Sequence, residues 1–196
     1  MPAGWTSTLS PYAFVISRFV FRHAVTGAVA ALVLHAAPAH AQIPGVPGVN
    51  PFSVGVEAGP AFPVGDLSSV AKTGYTAGAL VEARLPVLPV GLRFEGAYTA
   101  FASKYTNDNL HVISGTADAV LRLSPVALTL VRPYVLGGVG IYNVNQGGGT
   151  KAGINIGGGV SVPLVAITAF ADVRYTTVYT SPSRTSFVPL HVGVRF

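Results

Sequence analysis

The sequence predicts an all-β chain: an eight-stranded, antiparallel, up-and-down transmembrane β-barrel behind a cleaved signal peptide. Three observations carry that expectation. Only 10% of the 196 residues are charged and 50% are hydrophobic, against roughly 25% charged in ordinary soluble domains. No run of about 18 consecutive apolar residues follows position 42, so membrane-spanning helices cannot account for that composition. From Phe52 to the last residue, apolar side chains recur at every second position in short stretches broken by Gly, Pro and polar residues. That is the period of strands with one face against an apolar medium.

The first element is an export signal over residues 1–41. Arg18, Arg22 and His23 precede the apolar stretch Ala24 to Leu34, and Ala39-His40-Ala41 offers a small-residue cleavage site before Gln42. The competing reading is an uncleaved anchor, because Tyr12 to Val20 is also apolar; the uninterrupted part is shorter than the ~20 residues of a spanning helix. The basic flank lies far into the segment, which suggests initiation at the codon read as Val20. Residues 42–50 form a Pro/Gly-rich periplasmic lead, and residues 51–196 form the barrel domain.

Eight strands are expected at 52–61, 75–85, 90–101, 111–123, 131–142, 153–162, 166–178 and 187–196. Each reaches the ~9–11 residues that a tilted strand needs to cross a bilayer. The last is the clearest: Val188, Leu190, Val192, Val194 and Phe196 share one face, with Pro189, His191, Gly193 and Arg195 on the other. Leu80, Val120 and Phe170 break the pattern by falling on the polar face. Pro86 to Pro89, Ser124 to Leu130 and Pro163 to Leu164 make tight or modest turns. Residues 62–74, 102–109, 143–152 and 179–186 make longer loops holding Lys72, Lys104 and Lys151, as in barrels with short turns on one side and longer loops on the other.

The charges fix the two faces. Glu57, Glu82, Arg84, Arg93, Glu95, Asp118, Arg122, Asp172, Arg174 and Arg195 all project opposite the apolar side, which in a lipid-embedded closed sheet is the lumen. Guanidinium groups fork between several carboxylates in a confined space, so a lumen knitted by ion pairs is expected. A soluble sheet or a lipocalin-like barrel is the structural rival. A soluble sheet would need a second layer to cover eight apolar faces, and no amphipathic helix supplies one, whereas closure in lipid also removes sheet edges.

These residues resemble the small OmpA/OmpX-like outer-membrane barrels. The resemblance rests on Pro63-Val-Gly-Asp66, Gly91-Leu-Arg93-Phe-Glu95, Pro133-Tyr134 with Gly138-Val-Gly140, Asp172-Val-Arg174-Tyr175 and the terminal Phe196. It implies a location in the cell outer membrane, with outer-membrane lipid and lipopolysaccharide as surroundings and the barrel-assembly machinery as a partner. Phe196, Val194 and Val192 then stand as the assembly signal. The resemblance covers the barrel and does not imply a peptidoglycan-binding domain.

The chain has no cysteine, which excludes disulfides and thiol chemistry. Residues 42–196 hold ten basic and seven acidic residues, too few and too dispersed for a nucleic-acid stripe. The Gly runs at 137–140, 147–149 and 157–159 fit no phosphate-binding pattern. His111 and Ser114, three apart, point to opposite faces of a strand and cannot form a nucleophile and base; His191 reads as a lumen residue meeting a carboxylate. The five lumen carboxylates could hold a cation, but the interleaved arginines favour neutralisation by ion pairing, so no catalytic, cofactor or metal residues are assigned. Tyr75, Tyr98, Tyr142, Tyr175 and Tyr179 near strand ends suit an interfacial girdle or ordinary β-propensity equally. The expected product is a monomeric, non-enzymatic barrel with a structural or surface-interaction role. A narrow channel or small apolar-ligand binder comes second, and an envelope-lipid-modifying enzyme third.

Overall fold

The computed structural model describes residues 51–85, 88–105, 109–123, 130–145, 149–180 and 184–196. The expected signal segment and residues 42–50 lie outside them. Among the described residues eight strands form: β1 (Phe52–Val64), β2 (Gly74–Arg84), β3 (Val90–Ala102), β4 (Asn109–Arg122), β5 (Arg132–Val144), β6 (Gly149–Pro163), β7 (Thr168–Val178) and β8 (Thr185–Arg195). Each pairs antiparallel with its sequence neighbour, and β8 returns to β1 through pairs such as Val56 with Val194 and Ala58 with Val192. The barrel is therefore closed and has no open edge.

Alternation determines which way every strand faces. Phe94, Val139, Ile156 and Val192 point outward and are more than half exposed, as part of an apolar belt around the barrel. Their neighbours at odd spacing, such as Arg93, Glu95, Asn155 and His191, point inward and are buried. A soluble barrel inverts this arrangement; here the apolar side faces out, as a bilayer requires. Leu80, Val120 and Phe170, the three breaks in the pattern, are buried in the lumen.

Several strands run further than the apolar alternation predicts at the end where β1 turns into β2. β1 reaches Val64, β4 starts at Asn109, β6 at Gly149 and β8 at Thr185. Ladder bonds need no apolar side chain, so polar hairpins continue past the belt. Lys151, expected in a loop, thus stands on β6, and the β5–β6 connection shrinks to residues 145–148.

The β1–β2 connection also contains a short helix that periodicity did not predict, α1 (Asp66–Val70). Gly65, at φ 58, turns the chain into it, a backbone angle that glycine adopts without strain. Backbone bonds from Lys72 N to Ala102 O and from Lys104 N to Val70 O fasten this connection to the one after β3. Leu67 then faces a cluster of Ala61, Ala71, Phe101, Val112, Tyr142, Val144, Val178 and Phe187. This end of the lumen is apolar and capped.

Candidate functional site

The lumen between this cap and the opposite mouth is filled by charged side chains from β1, β2, β3, β4, β7 and β8. Strand pleating delivers them inward, and small residues leave them room. A Cβ at Gly138 would collide with the Ala117 carbonyl and the Asp118 carboxylate, and one at Gly157 with the Val173 carbonyl and Arg174. Both glycines thus permit close approach of backbone to a charged side chain.

Near the mouth, one carboxylate meets three guanidinium groups. Arg93 donates to Glu82 Oε2 from Nη2 at 2.9 Å and from Nε at 3.2 Å; Arg122 and Arg195 also donate to Glu82. Phe170 lies between two of these cations, with Arg93 Cζ 5.4 Å and Arg195 Cζ 5.1 Å from its ring centroid. Tyr134 takes Arg93 at 5.3 Å on its own face. Cation–π contacts explain why an aromatic ring occupies the polar phase of β7, and each is worth up to about 2 kcal/mol when desolvated.

Toward the cap the ratio reverses, with one guanidinium among four carboxylates. Arg174 donates to Glu95 Oε2 at 2.5 Å, to Asp172 Oδ1 at 2.8 Å and to Glu57 Oε2 at 3.4 Å, and lies 3.9 Å from Asp118 Oδ2. Arg93 joins the two halves by donating to Asp172 Oδ2 at 3.1 Å. Tyr134 donates to Asp172 at 2.7 Å, and Asn155 Nδ2 to Asp118 at 2.8 Å. The His191 ring places Nδ1 3.1 Å from Asp172 Oδ1. A cavity of about 20 Å³ separates this half from the cap, lined by threonines, Ser114, Tyr142, Asn155 and His191. That is room for about one water.

Nine of the ten charged residues assigned to the lumen from sequence make ion pairs there. Arg84 does not: it has the inward phase but is the last residue of β2, is exposed at the mouth, and forms no salt bridge among the described residues. Tyr134, Asn155 and Phe170 complete the network, and their inward phase was the signal that could have found them. Tyr142 is inside the cap and buried, not on the girdle. Tyr75, Tyr175 and Tyr179 are exposed. Tyr98 stacks on His111 at 5.5 Å, its hydroxyl 2.6 Å from Nδ1. His111 and Ser114 lie on opposite faces, the first outward against Tyr98 and the second lining the cavity. Phe196 pairs with Val54 through both backbone bonds and is exposed, as is Val192 on the same face.

The sequence matches no protein-family model and no curated relative. Solved structures do match. The crystal structure of Neisserial surface protein A (NspA) is similar at 21% identity, covering 74% of this chain and 96% of that one, with a TM-score of 0.58. The outer membrane enzyme PagL is similar at 13% identity, covering 74% and 98%, with a TM-score of 0.50. The N-terminal β-barrel domain of Pseudomonas aeruginosa OprF matches at 19% identity, covering 74% and 97%, with a TM-score of 0.46. The chain is a transmembrane β-barrel of the eight-stranded outer-membrane kind. Its outward apolar belt suits a lipid bilayer.

Proposed function

We propose that this barrel serves the outer membrane as a structural and surface-interaction protein rather than as a pore or an enzyme. The observation that carries this reading is the spanned lumen: Arg174 on β7 reaches Glu95 on β3, and Arg93 on β3 reaches Asp172 on β7. With α1 over one end, a solute path would have to break buried ion pairs. In this reading the chain is exported by residues 1–41, inserted through recognition of Val192, Val194 and Phe196, and works as a monomer. Its termini face the periplasm, and the loops bearing Lys72 and Lys104 contact the lipopolysaccharide side. The second reading, a small apolar-ligand binder, has one groove in its favour, between Tyr75, Ala100, Phe101 and Asn109. At about 130 Å³ it is smaller than the roughly 300 Å³ of ordinary ligand sites.

Two measurements test the proposal together. Reconstitution in a planar bilayer is expected to give no stable conductance steps, and an amine reagent that cannot cross membranes is expected to label Lys104 on intact cells. Regular single-channel steps from the folded barrel would overturn it in favour of the channel reading.

A further inference from the structure

Charge is unevenly divided along the lumen. Glu82 has three guanidinium groups around it, whereas four carboxylates surround Arg174 and only Asp172 among them also has Arg93. An excess of buried negative charge is costly unless a further positive group compensates it.

The unsatisfied atoms lie in that same half. Glu57 is 4% exposed, and its Oε1 is buried with no hydrogen-bond partner; Oε2 is the atom facing Arg174. His191 Nε2 lies 3.4 Å from that Oε1, and no hydrogen bond joins them. Asn155 Oδ1, on a residue 5% exposed, is also unpartnered, and Asn155 lines the same cavity as Glu95 and His191.

We propose that Glu57, Glu95 and His191 bind one divalent cation of the zinc class inside the barrel, with a water in the adjoining cavity completing the coordination. One ligand atom from each residue falls within 4.8 Å of the others. Ligands held about 2.1 Å from a tetrahedral zinc are themselves about 3.4 Å apart, which is the separation of His191 Nε2 and Glu57 Oε1. Asp172, 3.1 Å from Nδ1, supplies the second carboxylate that orients metal-binding histidines and leaves Nε2 free to coordinate. The mixed imidazole and carboxylate set suits zinc better than calcium or magnesium, which take oxygen ligands. Such an ion would tie β1, β3 and β8 together from within and balance the carboxylate-rich half. This departs from the expectation that ion pairing alone neutralises these groups: the arginines are concentrated around Glu82.

A proton shared among the same groups is the alternative that the test separates. The chain is purified in detergent from cells grown with added zinc chloride, washed with EDTA, and assayed by elemental analysis after its folded state is confirmed by migration of the unheated sample. About one zinc per chain is expected, with most of it lost in Glu57→Gln and His191→Gln and none lost in Lys104→Gln. X-ray absorption of the zinc-loaded wild type should show an imidazole nitrogen and oxygen neighbours, and this second readout stands if the lumen variants do not fold. Folded wild type without zinc, a folded His191→Gln that keeps it, or a spectrum lacking imidazole would each overturn the assignment.

Discussion

Arg174 and Glu95 stand on β7 and β3, opposite strands in the closed order of eight, and meet at 2.5 Å across the lumen. The two side chains together therefore span the lumen. Because Arg174 also contacts Asp172 and Glu57, its loss leaves several carboxylates uncompensated, while the loss of Glu95 leaves Arg174 with other partners. Arg174→Ala should cost about 3–5 kcal/mol and Glu95→Ala less. Urea unfolding in lipid vesicles measures both, and an unchanged midpoint for Arg174→Ala would mean that the network is not dry.

Leu67 is the residue through which α1 holds the cap. Truncation to Ala removes a buried side chain from a cluster that includes Phe101 and Phe187, whose rings meet edge to face at 5.6 Å. A loss of roughly 2–5 kcal/mol is expected, together with faster hydrogen exchange in the β1–β2 connection. Conductance should stay absent, because the Arg174–Glu95 bridge lies deeper in the lumen. Pore formation on cap removal alone would show that the bridge does not seal the barrel.

Glycines on the strands are not equivalent. A Cβ at Gly138 meets a backbone carbonyl that cannot move independently, whereas one at Gly96 meets nothing within 4 Å. Gly138→Ala should destabilise by about 1–3 kcal/mol, and Gly96→Ala should be near neutral. Equal unfolding midpoints for the two would contradict the tight packing assigned to β4 and β5.

Val192 is 59% exposed without being exposed to water, so Val192→Arg should cost about 2–4 kcal/mol if it sits near the bilayer midplane. Tyr105, on the loop side and 79% exposed, should accept Arg with little change. Comparable tolerance at both sites in vesicle unfolding would remove the bilayer from around Val192.

Strand number and facing direction were legible in the sequence because the two-residue period governs both, and the pairing order followed from short turns alternating with longer loops. Even Leu80, Val120 and Phe170 obey it in phase, and only their chemistry departs from it. The cap was not legible for the same reason. Phe101, Val112, Val144, Val178 and Phe187 have the inward phase but are apolar, so a rule of polar residues inside and apolar residues outside passes over them. Their common position at one end of the barrel was the available signal. α1 has five residues, too few to reveal a helical period. The division of the network into an arginine-rich and a carboxylate-rich half depends on depth along the axis and on reach across it, neither of which alternation encodes. Arg84 illustrates the limit: its phase is inward, yet its place at the end of β2 leaves it at the open mouth.

The apolar face of each strand looks into lipid and the charged face inward. Because the chain has no cysteine, single cysteines at Val188, Leu190, Val192 and Val194 can carry nitroxide labels in reconstituted vesicles, with Lys104 as the loop reference. Spin relaxation by oxygen should exceed relaxation by a water-soluble nickel chelate at all four β8 sites and reverse at position 104. Nickel access at positions 190 and 192 equal to that at 104 would mean that the belt faces water and not lipid.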